Sequence, residues 1–384
     1  MVRRHASALL ARDERQWKAD LDTSPAAARF TQHQREVFTN LARVPLATWR
    51  YDHVTAVSNP DVLSAAAGRL AGRVVVLRVR FEYALALVDP KPTGQDLLLT
   101  AVLRPAGWLL AGQSDVTGVG DQSWWGPWDF GPLLVLARPH TLVLAHPSHA
   151  ADMETFSSAV ERSVRVVNRV WGSGWNDHVA VLIPDTPAEF EAEVKGLGES
   201  QNLAAAAVAD RVTPDHVVVG ARIVINPVNL SKLVGADRQV VLQHEVMHVA
   251  ARADTSDQMP SWVVEGFADY AGYLDSGQPV ATAAAELAAE IRAGQVPMRL
   301  PTDTDFSGSN TRLSQVYQQA WLACRLIARR DGERGLVRFY KTVNAIAAAG
   351  KPGTSVPVAL RQVMHLDLAS FTALWRTNLI AELP

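Results

Sequence analysis

Apolar and polar positions along this chain follow two different periods, and the change between them divides it. Over 73–88, Val75, Leu77, Val79 and Phe81 alternate with Val76, Arg78, Arg80 and Glu82, the period of a strand with one buried face. Apolar runs at 49–57, 96–103 and 108–112 read as further strands. Two helical stretches, 6–21 and 25–41, come first, with Ser24 placed to cap the second ahead of Pro25. Beyond 150 the spacing lengthens. Phe156, Val160, Val164, Val167 and Val170 or Trp171 recur every three or four residues and predict an amphipathic helix over 155–171. Strands are expected at 178–183, 217–219 and 222–226, with a helix at 186–197. The remainder reads as helical at 238–252, 261–277, 280–293, 313–330, 336–348 and 357–363, and 371–383 closes the chain. Between two of these, the polar, Gly- and Ser-containing stretch 302–312 reads as a mobile loop leading into Tyr317.

Strands grouped with helices in this order predict an α+β chain, and 384 residues suffice for two domains. The expected division is a small α+β domain at 1–112, a linker rich in Gly, Ser and Asp at 113–132, and a second domain at 133–384. Trp124, Trp125 and Trp128 at the end of the linker read as a hydrophobic latch between the domains. His140, His146 and His149 flank a strand-like segment without a Cys or acidic partner and read as surface histidines. A net charge of −2 gives no electrostatic reason to expect nucleic acid or an anionic membrane as partner. No apolar run approaches a membrane span. The first residues, MVRRHASALLARDERQW, lack the apolar core of a signal peptide, so the default expectation is cytoplasmic, unless the true start lies upstream. The single cysteine, Cys324, sits among Leu322, Ala323, Leu326 and Ile327 and reads as a packing residue.

The stretch carrying the most chemistry is QHEVMHVAA, 243–251. His244 and His248 are four apart, so on a helix both imidazoles face one side and can converge on a metal ion. Arg238 to Arg252 contains no Gly or Pro; Asp237 could cap its start, and Pro260 lies beyond its end. Glu245, next to His244, is placed to act as a general base on a water at that metal. Imidazole and carboxylate ligands with one open position suit zinc. A third ligand is on offer in WVVEGFADY, 262–270: Glu265 lies in the first turns of a second helix, and Asp269 follows one turn later on the same face. Asp269 could accept a hydrogen bond from the outer nitrogen of a ligating histidine, most simply His244.

H-E-x-x-H followed by W-x-x-E-G-F-A-D-Y resembles the gluzincin metallopeptidases, especially the peptidase MA-like group related to the M1 aminopeptidases. The resemblance covers 217–340. It implies zinc held by His244, His248 and Glu265, Glu245 as general base, Asp269 behind His244, and a peptide or protein substrate. From the same comparison, Tyr317 in QVYQQAWLACRLIARRDG matches the tyrosine that donates to the oxyanion, with Ala320 where relatives often carry Gly. Two departures stand out: 16 residues separate His248 from Glu265 where the M1 aminopeptidases have 18, and their Gly-x-Met-Glu-Asn motif is missing. Aminopeptidase specificity is therefore not implied. A zincin-type domain further implies a mixed sheet ahead of the H-E-x-x-H helix, a helical half after it, and an edge strand that pairs with an extended peptide. Ile223 to Asn226 is the candidate edge, with Ile223 and Asn226 as substrate-binding positions. The order helices-then-sheet at 1–112 resembles the NTF2-like (SnoaL-like) cone. The high Ala, Arg and Val content resembles an actinobacterial source, where members of this group are often exported or membrane-tethered. Two alternatives are a zinc- and peptide-binding module without turnover, and a structural zinc protein; the second needs four protein ligands, and three good candidates are present.

Overall fold

The structure is a computed structural model and describes residues 1–113, 123–194 and 203–384. The strands are β1 (Leu46–Ala56), β2 (Val74–Leu85), β3 (Thr93–Arg104), β4 (Gly107–Gln113), β5 (Leu134–Ala137), β6 (Thr141–Ala145), β7 (Val179–Ile183), β8 (Ala205–Val208), β9 (Arg211–Val212), β10 (Val218–Val219) and β11 (Arg222–Ile225). The helices through the middle of the chain are α1 (Val2–Leu10), α2 (Glu14–Ala19), α3 (Ala28–Asn40), α4 (Pro60–Arg69), α5 (Pro127–Phe130), α6 (Met153–Trp171) and α7 (Pro187–Glu193). They are followed by α8 (Gly235–Ala251), α9 (Ser261–Tyr273), α10 (Val280–Ala283), α11 (Ala285–Arg292), α12 (Leu313–Ala348), α13 (Pro352–Met364) and α14 (Leu368–Glu382).

Two compact units divide the chain. The first comprises Met1–Ser157, Ala180–Gly196 and Val208–Pro227; the second comprises Ser158–Val179, Leu197–Ala207 and Val228–Pro384. This differs from the division expected at 113–132, because strands on both sides of that stretch and helix α7 group with the N-terminal residues. Residues 114–122 of the expected linker, and the end of the helix expected at 186–197, lie outside the described residues.

In the first unit, β1 to β4 form an antiparallel meander. The alternation expected along β2 holds only from Val79 onward: Val79 and Phe81 are buried, but nearer the start Val76 is buried and Val75 and Leu77 are partly exposed. Helix α4 explains the change. It lies between β1 and β2 in sequence and packs Val62 and Ala66 onto Val76, supplying that side of the strand with its own apolar cover. The single helix expected over 6–21 is two, broken at Arg12, whose φ is 58°. The Arg12 guanidinium donates to the carbonyls of Leu41 and Val44 at 2.8 Å each, so the break is tied to the end of α3.

Trp124 and Trp128 do not latch two domains. They are buried within the first unit, where Trp128 meets Trp49 at 5.1 Å and Tyr83 at 5.1 Å between ring centres. A second sheet has the strand order β5-β6-β7-β11-β8; β5 and β6 pair antiparallel and β7 and β11 pair parallel, so it is mixed. Strands β6, β7 and β11 are buried throughout, as continuous apolar runs predict for strands covered on both faces. Arg222 is the charged residue of β11, and Asp89 neutralises it through two bonds of 2.6 Å. His146 is not a surface histidine. It is 2 % exposed, and its imidazole bridges the Pro132 carbonyl and Glu189 at 3.0 and 2.8 Å.

His5 is also fully buried, its ring stacked on Trp17 with centres 3.5 Å apart. Burial lowers its pKa to about 4, against a smaller opposing effect from Asp20. The unfolded chain takes up this proton near 6.5, so the fold is fully favoured above that pH and loses stability as pH falls from 6.5 toward 4. The full loss for such a shift is about 3 kcal/mol. Urea unfolding at pH 7 and 4.5 is expected to show a smaller fall for His5→Phe than for wild type; equal falls would mean that His5 does not set this acid sensitivity.

The second unit is helical around α8, α9 and α12. Helix α8 begins at Gly235 without a side-chain cap, so Asp237 lies inside the first turn instead of capping it. Gln243, midway along α8, donates to the Leu274 carbonyl just beyond α9, 3.0 Å away, and ties the end of α9 to the middle of α8. Helix α12 runs through the gap expected at 331–335 but is broken at Gly332, whose φ of 75° is open to glycine at little cost. Among the described residues, no helix is long and apolar enough to cross a membrane.

Candidate metal centre

Three helices of the second unit bring the expected residues together. Helix α8 presents His244 and His248 from adjacent turns, and their Nε2 atoms are 2.9 Å apart. Glu265, in the second turn of α9, places Oε2 3.5 Å from each of those nitrogens. Ligand atoms about 2.1 Å from a tetrahedral zinc stand about 3.4 Å from one another, so this triangle has close to the span that one ion requires. Among the described residues these three side chains form one of the groups capable of holding a metal ion. The outer nitrogen of His244 is also accounted for: Nδ1 donates to Asp269 Oδ1 at 2.8 Å, which turns Nε2 toward the shared point.

Close helix contacts hold these side chains in place. At Gly272, an added Cβ would stand 2.9 Å from the Val240 carbonyl oxygen and 3.4 Å from His244 Cβ, so α9 crosses α8 next to the first histidine. At Gly266, beside Glu265, an added Cβ would stand 2.4 Å from the Ala320 carbonyl oxygen on α12. Ala320 lies one turn after Tyr317. That contact brings the Tyr317 phenol close to Glu265, whose charge helps to raise its pKa.

The charges oppose burial throughout. Burial is the largest single effect on His244 and works against its charge, but Asp269, Glu265 and Glu245 together outweigh it and raise the imidazole's pKa well above its usual value. Burial also raises Glu245 and Asp269. For Glu265 burial is outweighed by His248 and His244, and the carboxyl is lowered. Burial, reinforced by Glu265, Asp269 and Glu245, raises Tyr317, so its phenol keeps its proton and can donate it. A divalent cation held by the three ligand atoms would relieve this clustering of buried and half-buried carboxylates.

Glu245 is 7 % exposed and accepts a hydrogen bond of 2.7 Å from the Ala207 backbone N–H, in β8. The two expected substrate-binding positions lie elsewhere. Ile223 is in β11 and Asn226 just after it; they are 0 % and 2 % exposed, and β11 is not an edge. The strand order puts β7 and β8 on its two sides, so its backbone is already paired and has no free edge for a peptide. The outer strand is β8. Sequence reading missed it because Ala204–Ala207 is a run of the best helix former preceded by Asn202, a residue type that favours helix starts, so no local signal pointed to a strand.

The stretch expected as a mobile loop is tied down. Thr302 caps a short turn at Asp303–Phe306, Arg299 pairs with Asp305 at 2.6 Å, and Asp303 accepts from the Ser261 N–H at 2.7 Å, where α9 begins. Phe306 meets the Tyr317 ring edge-on with centres 5.2 Å apart.

No protein-family model and no curated protein matches the chain. Among solved structures it is similar to a two-domain M1 zinc metallopeptidase variant crystallised with L-arginine, at 14% identity over 73% of this chain and 58% of that one, TM-score 0.40. It is also similar to an M1 zinc metallopeptidase from Deinococcus radiodurans, at 16% identity over 72% of this chain and 58% of that one, TM-score 0.42. A variant of an M1 zinc metallopeptidase from Deinococcus radiodurans bound to Tyr-Ser-Ala is similar at 12% identity over 79% of this chain and 90% of that one, TM-score 0.42. The chain thus spans 58% of the length of the first two.

Proposed function

We propose that this chain is a zinc-dependent hydrolase, a peptidase of the gluzincin kind. The observation that carries the reading is the triangle of His244 Nε2, His248 Nε2 and Glu265 Oε2, with Asp269 fixing the first histidine. A zinc ion held by those three atoms would supply Lewis acidity, both to acidify a water and to polarise a carbonyl.

The chain's own groups would do the rest. Glu245, adjacent to the ligand set, takes the proton of the attacking water and returns it to the leaving amine. Its carboxylate is held for this by the Ala207 N–H. Tyr317 keeps its proton and donates to the oxygen on which negative charge develops. Strand β8 lies outermost in its sheet and touches Glu245, so an extended peptide pairing with its backbone would run past the base.

The test is a mixed peptide library incubated with the purified, zinc-loaded protein and read by mass spectrometry. Internal cuts are expected, with zinc bound one per chain. Loss of single N-terminal residues would reassign the protein as an aminopeptidase that holds the amino group without the motif its relatives use. Bound zinc with no cuts would overturn the peptidase reading in favour of a zinc- and peptide-binding role.

A further inference from the structure

The second unit has a concave surface that the proposed hydrolase chemistry does not use. It lies between the last turn of α6, the part of α12 that follows Gly332, and α13, and encloses about 920 Å³. Arg169, Arg334, Arg338 and Lys341 line it, and no acidic side chain does. That concentration of positive charge runs against a chain whose net charge is −2.

Two of these cations are already partly balanced. Arg169 pairs with Asp275 at 2.8 Å and Lys341 with Asp254 at 3.0 Å, and both side chains remain about half exposed. Lys341 also stands 4.7 Å from the centre of the Trp171 ring. Arg334 and Arg338 are exposed and have no anionic partner among the described residues. They are four apart on one helix face, where like charges repel and destabilise the helix. Between the cations the floor is apolar, formed by Trp171 and Val337.

We infer that this groove binds an acidic segment of a partner protein, one in which apolar side chains are interspersed among Asp and Glu. Charge complementarity selects the acids, and Arg334 and Arg338 can each take a carboxylate with both arms of the guanidinium. The apolar floor favours a peptide over a purely polar polyanion, which would leave the partly exposed Val337 and Ile346 in water. The groove does not depend on turnover: Trp171 forms its floor, with its other side packed on Phe267 and Tyr340, and belongs to no part of the metal triangle.

The experiment is fluorescence anisotropy with a short labelled peptide of Glu and Asp interspersed with Leu, titrated with the full chain. Saturable binding that weakens as salt is raised is expected. Arg334→Glu with Arg338→Glu should weaken it at least about tenfold, which is about 1.4 kcal/mol. Arg334→Lys with Arg338→Lys, keeping the charge, should retain most of it. Arg15→Glu with Arg35→Glu changes the net charge equally on exposed positions of the first unit and should leave it unchanged. The inference is overturned if the Arg334/Arg338 pair binds like wild type, if the Arg15/Arg35 pair loses as much, or if polyglutamate binds as tightly as the Leu-containing peptide. Binding to phosphatidylserine vesicles without binding to the peptide would overturn it in favour of a lipid surface.

Discussion

Glu245→Gln is expected to bind zinc one per chain, as wild type does, and to lose about two to four orders of magnitude in turnover. The two halves of this result have separate causes. Glutamine has the size and shape of glutamate, and its carbonyl oxygen can still accept the Ala207 N–H that now meets Oε2 at 2.7 Å. The three ligand atoms belong to other side chains, and the bond from His244 to Asp269 is not touched. What disappears is the ability to take a proton. His248→Ala is the complementary change: it removes one corner of the triangle, and zinc and turnover are expected to go together. Zinc content by elemental analysis and initial rates on one library-derived peptide separate the two. Undiminished turnover in Glu245→Gln would sink the assignment of the base, whatever the metal content.

The convergence of His244, His248 and Glu265 was legible because its geometry is local. Two histidines four apart converge on any regular helix, and Glu265 and Asp269, also four apart, need only a second helix crossing the first. Tyr317 came from resemblance alone; what brings it to Glu265 is the contact between Gly266 and Ala320, and such a contact joins residues far apart in sequence. The strands of the meander were legible for the same local reason, to within a few residues at their ends. The misreadings occur where tertiary context overrides a local signal. Ala204–Ala207 has the propensity of a helix, yet Ala205–Val208 is held as the outer strand, and the expected edge at Ile223 and Asn226 lies inside the sheet. Helix α4 is short and weakly amphipathic, and it was invisible until Val76 needed covering. His146 looked exposed beside Pro147, yet Glu189, 43 residues away, makes its burial possible.

Gly266→Val is expected to lower stability by the upper end of the roughly 1–3 kcal/mol typical of overpacking, and to weaken zinc binding at least about tenfold. Gly266 follows Glu265 on α9, and the space for a side chain there is already occupied. A Cβ would stand 2.4 Å from the Ala320 carbonyl oxygen, 2.6 Å from its carbon and 3.1 Å from Cys324 Sγ. The first two are backbone atoms inside α12 and cannot rotate away, so relief requires the helices to separate. Separation moves Glu265 relative to α12 and pulls its partner Tyr317 out of reach, while His244 and His248 stay on α8. The loss should therefore appear in the metal site as well as in the fold. Gly68→Ala supplies the contrast. It is also a helical glycine, in α4, but nothing lies within 4 Å of its added Cβ, so the change should raise stability by about 0.5–1 kcal/mol. Urea midpoints and competition titrations with a zinc chelator read both quantities. If Gly266→Val matched wild type in midpoint and in zinc affinity, α9 and α12 would not approach each other this closely, and the placement of Tyr317 beside Glu265 would fall with that contact.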